Sequence, residues 1–285
     1  MAKIEAVYGV LEPNMSFVDL HIHGIDDDGR LDIPRMVYTA VDRGLSGIGV
    51  TLHNNYPFGV RAYDFVERNN VLAKSGKPFK AFPGSEVPAR RKDGTDAHVL
   101  VYEADVGPYQ TIAATLEEAE RKDGFTIIPH PDGDVEGAMS MDEILETGIP
   151  ANIEVYNAST HHMFLLKRLN LLRKLRGEKL VDKNKIALQN YRDNQHRLGA
   201  ATGGTDAHKF KLGLGMTGFK GDNLREALTQ KRTVAVRRRE FEIWYPRDLR
   251  IHDRKIEAMN EQNDLRYNGG LVEFPLTGTV FEEVG

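Results

Sequence analysis

Short β-rich runs alternate with helix-like segments along most of this chain, and this alternation constrains its fold more than any other feature. Such a long alternation predicts an α/β protein with a parallel sheet, and closure into a (β/α) barrel is favoured over a doubly wound sheet. Seven strands are predicted before residue 207, at 17–23, 47–53, 79–86, 97–102, 125–130, 151–157 and 200–206. Helices are predicted at 33–43, 61–74, 111–122 and 141–146, with a long helical stretch at 163–198.

The region after residue 204 is interpreted as a continuation of the same domain. It carries a predicted helix at 223–229, a predicted strand at 232–236 and a charged tail. We therefore expect a barrel domain at 1–240 and a short C-terminal appendage at 241–285 that packs on it. An alternative boundary lies at 213–221, where glycines are frequent.

The amino-acid composition excludes several kinds of site. The 285 residues include no cysteine, so any metal must be held by His, Asp or Glu. A net charge of −4 gives no global reason to bind nucleic acid or an acidic membrane. No signal-peptide core opens the chain and no stretch approaches the roughly 20 apolar residues of a membrane span, so a cytoplasmic location is expected.

Six of the ten histidines stand in or beside the ends of the predicted strands. The C-terminal strand ends of a parallel barrel open on one face, and that face carries the active site. His21 and His23 are two residues apart on a strand, so both side chains point to the same side of the sheet, and Asp206 and His208 repeat this spacing. Glu86 adds a carboxylate at another strand end. The segment 26–29 reads by itself as an acidic turn, but Asp28 becomes a candidate ligand beside the others.

These side chains together predict a multinuclear metal centre. Nine N and O ligands exceed what one ion with four to six ligands can use, and they suit two or three divalent ions that share carboxylates. The nine candidates are His21, His23, Asp28, His53, Glu86, His98, His130, Asp206 and His208.

The same residues lie in motifs that resemble those of the PHP (polymerase and histidinol phosphatase) superfamily. This resemblance extends over about residues 16 to 240 and implies a distorted seven-stranded β/α barrel with up to three metal ions and phosphoester hydrolysis. The motifs are Asp19-Leu20-His21-Ile22-His23, Thr51-Leu52-His53-Asn54, Gly84-Ser85-Glu86, Ile128-Pro129-His130-Pro131, Glu154-Val155-Tyr156-Asn157 and Gly204-Thr205-Asp206-Ala207-His208.

The resemblance also implies how the ligands are shared and which residues stand at the reacting centre. Glu86, Asp206 and His208 are the implied catalytic residues. One metal would be held by His21, His23, Glu86 and Asp206, a second by Glu86, His98 and His130, and a third by Asp28, His53 and His208. Two positions depart from the family pattern. Leu52 stands where the family usually has Asp before His53, so a polar partner of His53 is expected to be missing and the third metal to bind less tightly. Some members have His where Asp28 is assigned.

Cationic residues near the predicted site are candidates for substrate binding. Arg30, Lys209 and Arg192 are the first candidates for contacts with phosphate, although a plain surface charge is the more common role of such residues. His161 and His162 could give a proton to the leaving group or form the polar start of a helix. The stretch Lys167–Lys185 has eight basic and two acidic residues; it is interpreted as an amphipathic helix, with a phosphate-binding rim as the alternative.

Three classes of function follow, and the favoured one is a small-molecule phosphomonoesterase that uses Zn, Mn or Fe. A nuclease that acts on short oligonucleotides is the second, because the basic stretch could contact a phosphate backbone. A non-catalytic metal-binding module is the third. A small phosphate ester is therefore the expected partner, a nucleic acid is the less favoured one, and the oligomeric state is left open.

Overall fold

The computed structural model describes residues 3–169, 181–208 and 212–239. The strands are β1 Ile4–Tyr8, β2 Ser16–Ile22, β3 Gly47–Val50, β4 Lys80–Arg90, β5 Asp96–Tyr102, β6 Phe125–Ile128, β7 Asn152–Asn157, β8 Ala201–Gly204, β9 Gly215–Phe219 and β10 Thr233–Arg238. The helices are α1 Ile33–Asp42, α2 Tyr56–Arg68, α3 Ile112–Arg121, α4 Met141–Glu146, α5 Ala158–Leu169, α6 Lys183–Asn194 and α7 Leu224–Thr229.

The strands form one sheet with the order β1-β10-β9-β2-β3-β4-β5-β6-β7-β8. The seven strands β2 to β8 follow each other in sequence order, and the sheet curls until its two sides meet. The chain just after β8 pairs with the end of β2 through a parallel bridge between Ile22 and Ala207, and the backbone N–H of His23 donates to Ala207 O at 3.0 Å. This nearly closed arrangement confirms the expected seven-stranded barrel.

The strands β9 and β10 extend the sheet beyond β2, on the side where the barrel is not fully closed. β9 is antiparallel to both β2 and β10, and β1 adds an edge strand on β10. The contact with β8 is made by a side chain, because the Thr217 hydroxyl donates to Gly203 O at 2.9 Å and accepts from Gly203 N at 3.1 Å. Thr217 is fully buried, so these hydrogen bonds fix β8 against β9 where no ladder joins the two strands.

The parallel sheet that the sequence predicts is interrupted at β5, which is antiparallel to both β4 and β6. Only residues 91–95 connect β4 to β5. A parallel connection needs a crossover of a dozen or more residues, so this short link permits only a hairpin. The reversal matters for the site, because it brings the N-terminal end of β5 to the edge where the other strands of the barrel end.

The boundary considered at 213–221 is also wrong, because this segment contains β9 inside the sheet. The segment has few large apolar residues, which explains why the strand gave a weak pattern. The spacing of Gly213, Gly215 and Gly218 is that of a dinucleotide-binding loop, but these residues lead into and form β9 instead of joining a strand to a helix.

Two helices differ from their predicted bounds. α2 begins at Tyr56, five residues before the predicted start, because the Asn55 side chain accepts from the backbone N–H of Phe58 and Pro57 occupies the first turn. In the described part of the long stretch predicted at 163–198, the structure has the end of α5, which begins at Ala158, and the whole of α6.

Some predictions fall outside the described residues. These are the contact proposed for Lys209, most of the basic stretch, and the appendage at 241–285, which stays a prediction. Every described residue belongs to one compact unit, Met1–Glu242. Within the described ranges, no helix combines the length and the apolar character that crossing a membrane requires.

Candidate metal centre

One end of the barrel gathers all nine predicted ligand residues. His21 and His23 lie at the end of β2, His53 lies just after β3, and His130 and Asp206 follow β6 and β8. His98 reaches the same edge from the start of β5, because this strand runs in the opposite direction and pairs His98 with Pro88 on β4. Strand order and strand direction therefore place side chains that are up to 187 positions apart in the sequence within one cluster.

Glu86 lies at the centre of this cluster and is only 1% exposed. Its two carboxylate oxygens face different imidazoles, as expected of a carboxylate that bridges two cations. Oε2 lies 3.3 Å from His21 Nε2, 3.1 Å from His23 Nε2 and 3.4 Å from His53 Nε2, while Oε1 lies 2.8 Å from His98 Nδ1 and 3.4 Å from His130 Nε2.

Four ligand atoms meet on the Oε2 side of Glu86. The Nε2 atoms of His21 and His23 are 3.3 Å apart, and they lie 3.8 and 3.6 Å from Asp206 Oδ1. Ligand atoms about 2.1 Å from a tetrahedral zinc ion are about 3.4 Å from each other. The donor set and its spacing therefore fit a divalent ion of this size.

The Oε1 side of Glu86 is formed by His98 and His130. His130 is buried, and its Nδ1 atom has no hydrogen-bond partner among the described residues. An orphaned nitrogen in a buried imidazole is unusual, because buried polar atoms are nearly always paired. His130 therefore has one buried ring nitrogen that no described residue satisfies, while its Nε2 atom faces Glu86.

The acidic loop after β2 contributes a residue that the sequence interpretation missed, Asp27. Its Oδ2 atom lies 3.0 Å from His23 Nδ1 and 2.8 Å from His53 Nδ1, and it accepts from the backbone N–H of His53 at 2.9 Å. The expectation that His53 lacks a polar partner is therefore wrong. Leu52 is buried in the core, and Asp27 supplies the partner from another loop.

Asp28, the predicted ligand of this loop, lies farther out. Its side chain is 56% exposed, and its Oδ2 atom contacts His208 Nε2 at 2.9 Å, whereas Oδ1 is 3.9 Å from His53 Nδ1. Three consecutive aspartates gave no sequence signal that distinguishes Asp27 from Asp28. In the same loop, Asp26 pairs with Arg61 on α2, whereas Asp27 points towards His23 and His53.

Two further buried carboxylates support the cluster. Glu154 on β7 contacts His21 and the backbone of His130, a role that its motif did not reveal. Asp19 on β2 accepts from the backbone N–H groups of Thr205 at 3.0 Å and Gly213 at 2.7 Å. Burial raises the pKa of Asp19 to about 6, although these hydrogen bonds oppose the shift.

The charges of the cluster favour bound cations. Burial by itself lowers the pKa of His23, but hydrogen bonds to Asp27 and Glu86 outweigh it and raise the pKa to about 9. The pKa of His21 is likewise raised, against its burial, by the carboxylates of Asp206, Glu154 and Glu86. Burial would raise the pKa of Glu86, yet the surrounding imidazoles hold it well below its ordinary value. Protons on the imidazoles therefore balance the carboxylates, and metal binding is expected to release them.

The predicted substrate-binding residues lie at different distances from this centre. The backbone N–H of Arg30 donates to His208 O at 2.8 Å, and its guanidinium is exposed with no ion pair among residues 3–169, 181–208 and 212–239. His161 lies in the first turns of α5, one turn after Asn157, and its Nδ1 atom is 3.9 Å from Asp182 Oδ2. Arg30 and His161 therefore both belong to the end of the barrel that holds the cluster.

Arg192 does not fit the contact with phosphate that the sequence suggested. It lies in the last turn of α6, about 12 Å along the helix from Asn184, whose side chain contacts the end of β7. Its neighbour Tyr191 donates to Gly199 O at 2.8 Å, just before β8 begins. The helix thus carries Arg192 towards the opposite end of the barrel.

Gly137 provides a test of how the loop after β6 shapes this centre. Its carbonyl accepts from the backbone N–H of His98 at 2.9 Å, and a Cβ atom at this position would lie 2.2 Å from His98 Cγ. The residue also has a φ of +72°, which favours glycine.

We expect Gly137→Ala to displace the His98 ring and to reduce metal content and melting temperature together, as measured by elemental analysis and calorimetry. Gly148→Ala is the control, since its φ is +70° but nothing lies within 4 Å of the added atom. Equal metal content in the two variants would contradict the expected role of Gly137.

Comparison with known proteins identifies the fold. No protein-family model matches the sequence, and no curated protein does. The structure is similar to a two-domain protein from Bacteroides vulgatus that contains a predicted PHP-like metal-dependent phosphoesterase, with 18% identity, a TM-score of 0.53 and coverage of 78% of this chain. This chain spans 64% of the length of that protein. It is also similar to PsfC from Pseudomonas syringae, with 16% identity, a TM-score of 0.53 and coverage of 86% of this chain and 99% of PsfC. The similarity shows the fold, and it confirms the expected PHP-type barrel.

Proposed function

We propose that this protein is a metal-dependent phosphomonoesterase that acts on a small phosphate ester. One observation carries the proposal: the buried carboxylate of Glu86 lies between five imidazoles, with each of its two oxygens facing a different group of them. Such a set of N and O donors suits Zn, Mn or Fe, and no thiolate is present.

The proposed ligands divide between two ions that share Glu86. His21, His23, Glu86 Oε2 and Asp206 would hold the first ion, and Glu86 Oε1, His98 and His130 would hold the second. A third ion would be held by His53, His208 and Asp28, and we expect it to bind less tightly than the other two, because Asp28 is more than half exposed. When bound, such ions stabilise charge on phosphate oxygens and make water a nucleophile near neutral pH.

The chain's own residues would bind and orient the substrate. The guanidinium of Arg30 is exposed and forms no ion pair with any residue that the structure describes, and its loop is joined to His208, so it would contact the phosphate oxygens by charge-assisted hydrogen bonds. Asp27 would hold His23 and His53 through their Nδ1 atoms, which leaves both Nε2 atoms turned towards Glu86. His161 beside Asp182 would donate a proton to the oxygen of the leaving alcohol.

A panel of substrates tests this function against the two alternatives. The metal-loaded protein is incubated with phosphomonoesters, nucleotides and short oligonucleotides, and release of phosphate and strand cleavage are measured. We expect turnover of small phosphomonoesters that a chelator removes and added metal restores. Oligonucleotide cleavage that falls steeply with added salt would favour the nuclease, because phosphate contacts release counterions. Full metal loading without turnover would favour a binding module.

A variant of the basic stretch distinguishes a phosphomonoesterase from a nuclease. Lys167, Arg168, Arg173 and Lys174 are neutralised together, although their side chains lie outside the described residues. A phosphomonoesterase should keep its activity on small substrates within a few-fold, because distant surface charges contribute little. A nuclease that uses this stretch should lose oligonucleotide cleavage and much of its salt dependence, since each lost phosphate contact removes about one unit of the log–log slope.

The two aspartates of the acidic loop should respond differently to substitution. We expect Asp27→Asn to lower metal affinity by about 10–100-fold, because Asp27 orients two imidazoles by hydrogen bonds to their Nδ1 atoms. Asp28→Asn should have a smaller effect, since its exposed side chain makes its shortest contact with His208. Titration of both metal-free variants with Zn²⁺ or Mn²⁺ measures the difference. A larger loss in Asp28→Asn would restore Asp28 as the principal carboxylate of this loop.

A further inference from the structure

Glu154 is a buried carboxylate next to the proposed metal ligands, but it is not a ligand of any of the proposed ions. It lies on β7 and is 2% exposed. Its Oε1 atom lies 3.2 Å from His21 Nδ1, and its Oε2 atom accepts from the backbone N–H of His130 at 2.8 Å and from Asn157 Nδ2 at 2.9 Å. Burying a carboxylate costs free energy unless it is hydrogen-bonded, so we infer that the three contacts of this buried side chain serve a specific role.

We propose that Glu154 is a positioning residue that orients the His21 imidazole and the backbone of His130 at the same time, and thereby sets the affinity of both ions that share Glu86. This inference rests on the metal centre of the proposed function, but not on phosphoester hydrolysis.

The contact with His21 determines which ring nitrogen is free. An imidazole that donates Nδ1–H to a carboxylate keeps the lone pair on Nε2, and such a partner also fixes the plane of the ring. The Nε2 atom of His21 lies 3.3 Å from both His23 Nε2 and Glu86 Oε2. Glu154 therefore turns the ligating nitrogen of His21 towards the other donors of the first ion.

The contact with His130 acts on the backbone instead of the ring. His130 has a φ of +33°, in the left-handed region that a non-glycine residue rarely adopts. The hydrogen bond from its N–H to Glu154 Oε2 holds the chain in this conformation, from which Nε2 reaches Glu86 Oε1 at 3.4 Å. One carboxylate thus supports a ligand on each side of Glu86.

Residues next to Glu154 on β7 and on the neighbouring strand β8 leave space for its carboxylate and contact it. Gly204 on β8 leaves the space that Glu154 occupies, since a Cβ atom there would lie 2.2 Å from Glu154 Oε1. Asn157 contacts Glu154 and also places its Nδ2 atom 3.4 Å from Asp206 Oδ2. The network therefore reaches a third ligand of the centre through one side chain.

Glu154→Gln tests the role, because the substitution keeps the shape and removes the charge. The amide can offer only one acceptor oxygen, so its NH₂ group must face either the His21 ring or the His130 N–H. We expect affinity for Zn²⁺ or Mn²⁺, titrated into the metal-free protein, to fall by about 10–100-fold for both ions. Thr217→Val is the matched control: it removes two buried hydrogen bonds between β9 and β8 and should lower the melting temperature while affinity stays within a few-fold.

A spectroscopic measurement on the metal-free protein separates positioning from a general structural role. In ¹⁵N–¹H correlation spectra of the imidazole groups, the Nδ1–H signal of His21, identified by its loss in His21→Asn, should lie downfield, as expected of a proton that the Glu154 carboxylate accepts. Glu154→Gln should move this signal upfield, whereas Thr217→Val should leave it in place. Unchanged metal affinity or an unchanged His21 signal in Glu154→Gln would overturn the proposal. If the wild-type protein bound no metal, the proposed function would fail, and the His21 signal would still decide whether Glu154 positions the ring.

Discussion

Replacement of Glu86 by glutamine is expected to remove bound metal and to reduce phosphoesterase activity by several orders of magnitude. The side chain keeps its shape, but the centre loses the carboxylate that faces five imidazoles. One oxygen would remain to serve two ions, and the NH₂ group would point at ring nitrogens that need an acceptor or a metal. Elemental analysis of the purified variant and kcat/KM on the best substrate of the panel measure the two effects.

A surface substitution of the same chemistry controls for the loss of one negative charge. Glu226 lies on α7, and its side chain is 54% exposed and pairs with Arg232 at 3.2 Å. Glu226→Gln should keep the metal content and the activity of the wild-type protein, because an exposed ion pair contributes little. Turnover near the wild-type rate in Glu86→Gln would show that Glu86 does not bridge two ions.

Asp206→Asn is expected to abolish activity on every substrate, because it removes the only non-bridging carboxylate among the ligands proposed for the first ion. Asp206 has a φ of +54°, a conformation that asparagine tolerates as well as aspartate does. Its carbonyl accepts from the Ser159 hydroxyl at 2.8 Å, and the substitution leaves that bond intact. The loss can therefore be assigned to the charge of the side chain. Metal content per chain and activity on phosphomonoesters and oligonucleotides are measured together.

Asp222→Asn is the control for this change. Its side chain is 71% exposed and pairs with Lys77 at 2.9 Å, remote from the ligands in the sheet. We expect both reactions to continue in this variant. Undiminished activity of Asp206→Asn on all substrates would refute the proposed metal mechanism for every class of ester tested.

The side-chain types of the candidate metal centre and most of their positions could be predicted from the sequence, because strand periodicity is a local property. Residues two apart on a strand share a face, so His21 and His23 were expected on the same side of the sheet, and the structure places them so. The alternation of strands and helices likewise predicts a barrel, since each helix returns the chain to start the next strand. Absence of cysteine limits the ligands to nitrogen and oxygen at the level of composition.

Other features depend on contacts between distant parts of the chain. His98 lies in the cluster because β5 is antiparallel to its neighbours. Arg192 lies outside the cluster because α6 runs towards the other end of the barrel. These outcomes depend on the direction of an element and not on its pattern of apolar residues. Patterning predicts which face of an element is buried, whereas direction follows from the connections and from packing.

The local order of residues along the chain is enough to place carboxylates and imidazoles at the ends of the strands, but which of them come into contact depends on the tertiary structure. Three successive aspartates are equivalent as a sequence pattern, yet Asp26 pairs with Arg61 whereas Asp27 contacts His23 and His53. Glu154 similarly gains its role only where β7 lies beside the ends of β2 and β6. The physical reason is that a side chain's type and strand face are local properties, whereas its partners are set by residues that only folding brings within hydrogen-bond distance.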